Sequence, residues 1–194
     1  MRTYRLYVSL PYIAPAIWRR LEVSGAMSFA ALHEVLQTAM GWENYHLWTF
    51  DVDKTEIGPP VADDFAMLGE PELLPAARTT LDAALGGRRI KFRYTYDLGD
   101  DWLHEIKVEK VSDPDPSVQY PRCTGGARAC PPEDCGGYPG YHDLLEAIGD
   151  PKHPEHAGLL EWVGEDFDPE AFDLEAVNRR LQARKRKSRA PAKK

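Results

Sequence analysis

The chain has 194 residues, of which 43% are hydrophobic, so it contains enough apolar material for the core of one domain. No apolar run approaches the roughly 18 residues that a membrane span requires, and the first residues lack the continuous apolar stretch of a secretory signal peptide. These properties argue against a membrane protein and predict a cytoplasmic location.

The net charge of −7 is unevenly distributed along the chain. Residues 179–194 carry nine Lys or Arg and no acidic residue, so the other 178 residues carry 15 basic and 31 acidic side chains. The acidic body is expected to repel nucleic acid, whereas the basic tail can contact phosphates. The tail residues predicted to make such contacts are Arg184, Lys185, Arg186 and Lys187. A tail that only keeps the protein soluble is the open alternative.

The first part of the chain predicts a β-hairpin, a helix and a third strand. Apolar and polar residues alternate in residues 4–10 and 17–23, and prolines separate the two runs. Ser28 is a residue type that caps helix N-termini, and Gly41 is placed to end the helix after an apolar stripe. Alternation resumes in residues 46–52, which predicts the third strand.

The middle of the chain predicts two paired strands. Residues 90–96 and 102–109 alternate with the period of a half-buried strand, and residues 97–101 form the turn between them. The phase predicts two opposite rows on the second strand: Trp102, His104 and Ile106 in one, and Glu105 and Lys107 in the other.

The other segments predict a loop and several helices. Residues 61–78 are rich in Pro and Asp without a sustained period, which predicts a long surface loop. A short helix at 81–85 follows it. Helices are also predicted at 141–148, at 154–163 and in the region 168–184.

Together these elements predict an α+β domain. We expect a mainly antiparallel sheet of about five strands, with the N-terminal helix and the C-terminal helices packed on it. Residues 1–183 are predicted to form this single domain. Residues 184–194 contain nothing to bury and predict a disordered basic tail.

Several segments of the sequence carry a family resemblance. They are WRRLEV, LHEVLQTAMGWENYHLWTF, YTYDLGDDWLHEIKVEK, YPRCTGGARACPPEDCGGYPGY and FDPEAFDLEAVN. Their order resembles the plasmid Orf3-like family of pRiA-type open reading frames, over nearly the whole chain apart from the tail. The resemblance implies a compact α+β domain and a link to mobile DNA. The resemblance supplies no catalytic residues. Mobile DNA can encode resolvases, but this chain lacks a resolvase arrangement with a nucleophilic serine.

The cysteines form a first candidate site. Cys123, Cys130 and Cys135 are separated by six and four residues in a loop rich in Gly and Pro. An odd number of cysteines without an export signal argues against a disulfide framework. A tetrahedral zinc site would need a fourth ligand, which His104, His46 or His142 can supply. An oxidisable thiol pair and buried structural cysteines are the alternatives.

The histidines have a structural interpretation as well. His46 and His104 both fall in the apolar phase of predicted strands, so their rings can point into the same interior or cleft. A pair of hydrogen-bonded core histidines explains that pattern without a metal. His33 falls on the polar face of the first helix, where a solvated side chain is expected.

A group of carboxylates near Trp102 forms a second candidate site. Its members are Asp97, Asp100, Asp101, Glu133 and Asp134. Clustered carboxylates can bind Mg²⁺ or share a proton as acid and base. Asp and Gly are also the ordinary residues of turns, so the same group has a purely structural interpretation.

Two functions follow from these candidates. The first is a non-enzymatic binding or accessory module associated with plasmids or mobile elements, which binds a partner around Trp102 and Cys130. The second is a metal-dependent hydrolase or nuclease that uses the His, Cys and Asp residues around 97–135. The sequence has no phosphate-binding glycine loop, HExxH motif or nucleophile elbow, which favours the first.

Overall fold

The computed structural model describes residues 1–60 and 73–189, with side chains up to Arg184. The predicted loop 61–78 therefore lies largely outside the described residues, as does the end of the tail. The strands are β1 (Thr3–Ser9), β2 (Trp18–Ser24), β3 (Trp48–Val52), β4 (Thr55–Gly58), β5 (Leu74–Pro75), β6 (Lys91–Tyr96), β7 (Trp102–Ser112) and β8 (Arg122–Ala127). The helices are α1 (Phe29–Met40), α2 (Leu81–Leu85), α3 (Gly137–Gly149), α4 (His156–Val163) and α5 (Leu174–Arg189).

The strands form one mixed sheet in the order β5-β4-β3-β6-β7-β1-β2-β8. Neighbouring strands are antiparallel except β4 and β5, which are parallel. The α+β class is right, but the prediction of a mainly antiparallel sheet of about five strands is wrong, because the sheet has eight strands and is mixed. The strands that were not predicted are short or rich in glycine, so they show little alternation.

The β3–β4 turn shows why one of these strands gives no sequence signal. Val52 pairs with Thr55, so only Asp53 and Lys54 connect the two strands. Both have positive φ angles, 51° and 68°, as a tight two-residue hairpin turn requires. The sequence there is Asp-Lys instead of the usual Asn-Gly or Asp-Gly, so the signal for a hairpin is absent.

Helix α1 begins and ends as its sequence indicates. The Ser28 hydroxyl accepts a hydrogen bond from the Ala31 backbone N–H at 3.2 Å, and Gly41 ends the helix with a φ of 98°. The buried face of α1 packs on the sheet, where Phe29 contacts Phe50 edge-on at a centroid distance of 5.0 Å. Full burial of such a side chain contributes about 1.5–3 kcal/mol, so this face holds the helix in place.

Helix α5 anchors the edge strand β8. The Asn178 side chain accepts a hydrogen bond from the Cys123 backbone N–H and donates one to the Cys123 carbonyl, both at 2.9 Å. The helix continues to Arg189, past the predicted domain boundary at residue 184, and that boundary stays a prediction. None of the helices in the described part of the chain is long and apolar enough to cross a bilayer.

Strand β7 has the predicted phase. Trp102, His104 and Ile106 are buried on the face that packs against the helices. Glu105 and Lys107 lie on the opposite face, where Lys107 is exposed. One end of the central strands carries the turn of residues 97–101, and the candidate site forms there.

Candidate metal centre

Three segments that are distant in sequence meet beside the β6–β7 turn. The segment between α1 and β3 reaches the turn through a hydrogen bond from the Asp97 N–H to the Leu47 carbonyl, at 2.9 Å. The loop between β8 and α3 reaches it through the Gly136 N–H, which donates to Asp100 Oδ2 at 3.2 Å. The Trp42 indole N–H donates to the Pro131 carbonyl at 2.9 Å and joins the first segment to the loop.

One residue from each segment contributes to a cluster of potential metal ligands. His46 Nε2 lies 3.1 Å from Asp134 Oδ1 and 3.7 Å from Asp97 Oδ2. The ligand atoms of these three residues all lie within 4.8 Å of one another. We call this cluster the His-Asp-Asp site.

The backbone orients both carboxylates. Asp97 Oδ1 accepts hydrogen bonds from the N–H groups of Gly99 and Asp100, at 2.9 and 3.3 Å, which leaves Oδ2 directed to His46. Asp97 and Asp134 have φ angles of 57° and 59°, in the left-handed region that Asp tolerates better than most residues. The positions of the two carboxylates are therefore set by turn geometry.

The imidazole of His46 presents a free nitrogen to the carboxylates. Its Nε2 atom is shielded from solvent yet makes no hydrogen bond, although Asp134 Oδ1 is 3.1 Å away. A buried polar atom without a partner is unfavourable by about 1–3 kcal/mol. The ring packs edge-on against Tyr96, with a centroid distance of 5.8 Å, and this contact limits its rotation.

The distances and donor types fit a divalent cation. Bonds of about 2.0–2.2 Å from a cation to nitrogen and oxygen place neighbouring ligand atoms roughly 3–3.6 Å apart. The separation of 3.1 Å between His46 Nε2 and Asp134 Oδ1 falls in this range, and the separation of 3.7 Å between His46 Nε2 and Asp97 Oδ2 lies just above it. An imidazole with two carboxylates suits Zn²⁺ or Mn²⁺ better than Ca²⁺ or Mg²⁺, which prefer oxygen ligands alone. Asp134, whose side chain is 70% exposed, leaves one side of the site open to solvent.

The cysteines lie outside this cluster. Among the residues with described side chains, the His-Asp-Asp site is the one group of three potential metal ligands, and it contains no cysteine. All three cysteines are free, and burial raises the pKa of Cys130 to about 11 and that of Cys135 to about 12. Burial also raises the pKa of Cys123. Metal binding requires thiolates, so zinc binding by the cysteines stays a prediction without support from their surroundings.

Cys130 packs inside the protein. Its sulfur lies 3.1 Å from Met40 Sδ and accepts a hydrogen bond from Arg19 Nη2 at 3.5 Å. Arg19 is itself 3% exposed and donates to the carbonyls of Trp18, Ala39 and Ala127. The role of Cys130 here is to fill the space between the cysteine loop and α1.

His104 and Trp102 belong to the core. His104 is fully buried and its Nδ1 lies 2.8 Å from the Trp102 carbonyl, while burial lowers its pKa to about 4. Trp102 is 1% exposed and packs beside Trp42 and Tyr138. Neither side chain offers a surface on which a partner can bind directly.

The other candidate carboxylates connect loops. Glu133 accepts hydrogen bonds from the Tyr96 hydroxyl and, at 3.0 Å, from the Glu43 N–H. Asp100 binds the Gly136 N–H, and the Asp101 N–H donates to the Asp97 carbonyl at 2.7 Å. The bonds of Glu133 and Asp100 hold the three segments together around the site, whereas the Asp101 bond lies within the β6–β7 turn.

The basic tail residues lie at the far end of α5. Arg184 forms an ion pair with Glu34 of α1. Lys185, Arg186 and Lys187 continue the helix backbone, and their side chains lie outside the described part of the structure. Contact of these residues with nucleic acid stays a prediction.

All three members of the site are candidates in the sequence, but no sequence signal groups them. The sequence predicts His46 as a partner of the cysteines, and Asp97 and Asp134 as members of a carboxylate group. The exposed apolar side chains Tyr45, Leu47 and Leu98, which flank His46 and Asp97 in sequence, are not among the predicted site residues. An apolar residue next to a candidate ligand is a weak signal, and nothing in a single sequence joins positions so far apart.

Comparisons with known proteins agree with one another. Residues 2–176 match the family model described as "Plasmid pRiA4b ORF-3-like protein". The chain is 38% identical over 177 residues to "Uncharacterized protein y4hQ" of Sinorhizobium fredii, covering 90% of this chain and 88% of that protein. It is also similar to the crystal structure of a protein of unknown function, MM3350 from Methanosarcina mazei Go1. That likeness has a TM-score of 0.78 and 36% identity, and covers 90% of this chain and 96% of the other. The chain therefore belongs to the plasmid pRiA4b ORF-3-like family.

Proposed function

We propose that the protein is a non-enzymatic binding module whose binding surface is organised by a divalent cation at the His-Asp-Asp site. The observation that carries this proposal is the convergence of His46 Nε2, Asp97 Oδ2 and Asp134 Oδ1 within 4.8 Å. The family description names a plasmid open reading frame, which supports an association with plasmids or mobile elements.

The cation has a clear structural role in this proposal. Its three ligands come from three separate segments, which are otherwise joined near the site by a few hydrogen bonds. A cation that binds all three ligands would hold the segments in one arrangement and satisfy the free His46 nitrogen. It would also offset the repulsion between the carboxylates of Asp97 and Asp134.

Three exposed apolar side chains are sequence neighbours of the ligands and suit a partner. Tyr45, Leu47 and Leu98 are 71%, 65% and 57% exposed. Tyr45 and Leu47 flank His46, and Leu98 follows Asp97, so the cation would fix the backbone that carries all three. Exposed apolar side chains beside polar groups are typical of interaction sites.

Titration calorimetry of the purified chain with Zn²⁺ and Mn²⁺ tests the cation site. We expect one cation per chain. Binding should be at least tenfold weaker in Asp134→Asn, because Asn lacks the carboxylate charge but still fits the left-handed backbone at this position. Asp143→Asn, which makes the same change at a carboxylate of α3 that is 81% exposed, is the matched control and should bind like the parent. Equal affinity in both variants would remove Asp134 from the site.

The alternative is a metal-dependent hydrolase or nuclease. Three protein ligands leave at least one position of a cation for water, and the solvent-exposed side at Asp134 admits a substrate. Hydrolysis of nucleic acid that requires Mn²⁺ and disappears in Asp134→Asn, but not in Asp143→Asn, would favour the enzyme. Unchanged substrate at saturating Mn²⁺ would favour the binding module.

A further inference from the structure

The solvent-facing side of the sheet concentrates positive charge on strands β6, β7, β1, β2 and β8. Seven basic side chains share this side with three carboxylates, a local excess of four positive charges in a chain of net charge −7. The basic residues are Arg5, Arg20, Lys91, Arg93, Lys107, Lys110 and Arg122, and the acidic residues are Glu22, Glu105 and Glu109. We call this surface the basic face. Asp51 of β3, which pairs with Arg93, marks its limit.

Like charges lie directly opposite each other on this face. Lys91 pairs with Lys107 across β6 and β7, and Arg5 pairs with Lys110 across β1 and β7. Opposed like charges destabilise a sheet. Glu105 neutralises Lys91 at 2.7 Å and Glu22 neutralises Arg5 at 2.8 Å, but within the described residues Lys107 and Lys110 make no ion pair within 4.0 Å. An anionic ligand on this face would relieve the repulsion.

Two aromatic rings lie among these charges. Trp18 and Tyr7 are half-buried and stacked, with a centroid distance of 5.5 Å and an angle of 26° between the rings. The Arg20 guanidinium lies 5.1 Å from the Trp18 ring and 5.7 Å from the Tyr7 ring. Glu109 holds Arg20 in place through two hydrogen bonds, at 2.7 and 3.1 Å.

A glycine makes room for the larger ring. A Cβ atom at Gly125 of β8 would lie 3.3 Å from Trp18 Cη2, which is tighter than most real contacts. The absence of a side chain at Gly125 therefore lets the indole lie close to the neighbouring strand. The result is a stacked pair of half-buried rings on the open side of the sheet, with cations around it.

We propose that the basic face binds single-stranded nucleic acid. Unpaired cations provide contacts for phosphates, and the accessible parts of the two aromatic rings can stack on bases that are free of a duplex. Double-stranded DNA hides its bases and would leave Trp18 and Tyr7 without a role. An acidic peptide would use the cations but not the flat faces of the rings. This inference does not depend on the cation site.

Fluorescence anisotropy of a labelled oligothymidylate of about twelve nucleotides, at low salt, tests the proposal. We expect the double variant Lys107→Glu/Lys110→Glu to weaken binding more than about tenfold. The slope of log affinity against log salt concentration should become less steep by about 0.7 for each phosphate that the variant no longer binds. Both new carboxylates lie opposite basic residues, so the fold should be kept. Lys54→Glu/Lys152→Glu makes the same charge change at exposed positions away from the face and should bind like the parent.

Trp18→Leu tests the aromatic contribution. Leucine keeps apolar cover over Gly125 but removes the planar ring, so affinity should fall about fivefold or more. Melting temperatures of all variants check that they are folded. The same set of variants, measured with an oligouridylate, compares RNA with DNA.

Four results would overturn the proposal. The first is a parent protein that does not bind at low salt, and the second is equal weakening of binding by the two charge-reversal pairs. The third is loss of binding when Lys185, Arg186 and Lys187 are replaced by Gln, while the variants of the basic face still bind like the parent. That result would assign binding to the tail. The fourth is displacement of the oligonucleotide by polyglutamate while Trp18→Leu keeps full affinity, which would indicate a site for acidic proteins.

Discussion

Two buried histidines should make the protein sensitive to mild acid. His104 is fully buried, and His33 is 1% exposed between Tyr94 and Asn44, at 2.7 and 2.6 Å. Burial lowers the pKa of each to about 4. In the unfolded chain a histidine has a pKa of about 6.5, so below that pH the unfolded state takes up protons that the folded state does not. The stability from these histidines is therefore present above pH 6.5 and is lost as the pH falls towards 4.

The size of the effect follows from the two pKa values. Between pH 7 and pH 5, each histidine should lower the free energy of unfolding by about 2 kcal/mol, and the two together by about 4 kcal/mol. Domains of this kind are stable by about 5–15 kcal/mol, so the loss is a large fraction of the total.

Urea unfolding followed by tryptophan fluorescence, at pH 7 and pH 5, measures this loss. In His104→Gln the difference between the two pH values should shrink by about 2 kcal/mol, because the titrating group is gone. His142→Gln, on the exposed side of α3, is the control and should keep the full difference. If His104→Gln loses as much stability as the parent between pH 7 and pH 5, His104 is not the source of the effect.

Three further predictions concern the loop between β8 and α3 and the contact of α5 with β8. Gly137→Ala should destabilise the protein by about 2 kcal/mol or more, since the φ angle of Gly137 is 67° and a Cβ atom would lie 2.6 Å from the Asp100 carbonyl oxygen. Gly149→Ala is the control and should melt like the parent, because no atom lies within 4 Å of the added Cβ. Cys130, whose pKa burial raises to about 11, should react slowly with a thiol reagent until urea is added, and fast reaction without urea would contradict its burial. Asn178→Ala should lower the free energy of unfolding by about 1–3 kcal/mol because its bonds to β8 are removed, and an unchanged melting temperature would show that α5 does not anchor that strand.

Local patterns in the sequence predicted the parts of the fold that depend on neighbouring residues. The alternation in residues 102–109 predicted that His104 would share a face with Trp102, and the structure confirms it. Ser28 and Gly41 predicted the ends of α1 because caps depend on a few adjacent groups. These signals are local, so a single sequence contains them.

The features that depend on distant contacts were not predictable in this way. Strand β8 reads RCTGGA, which has no alternation and becomes a strand only because β2 offers it an edge. His33 was expected in solvent on the polar face of α1, but Trp48 stacks on it at 4.1 Å and Tyr94 binds it. The same holds for the His-Asp-Asp site, whose members come together only when three loops meet.

Crystals grown with Mn²⁺ and measured for anomalous scattering would test the cation site most directly. We expect an anomalous peak within about 2.0–2.3 Å of His46 Nε2, Asp97 Oδ2 and Asp134 Oδ1. The same crystals of Asp134→Asn should lose the peak. A map of the parent protein at saturating Mn²⁺ with no peak between these three atoms, or with the cation bound at the cysteines, would contradict the account.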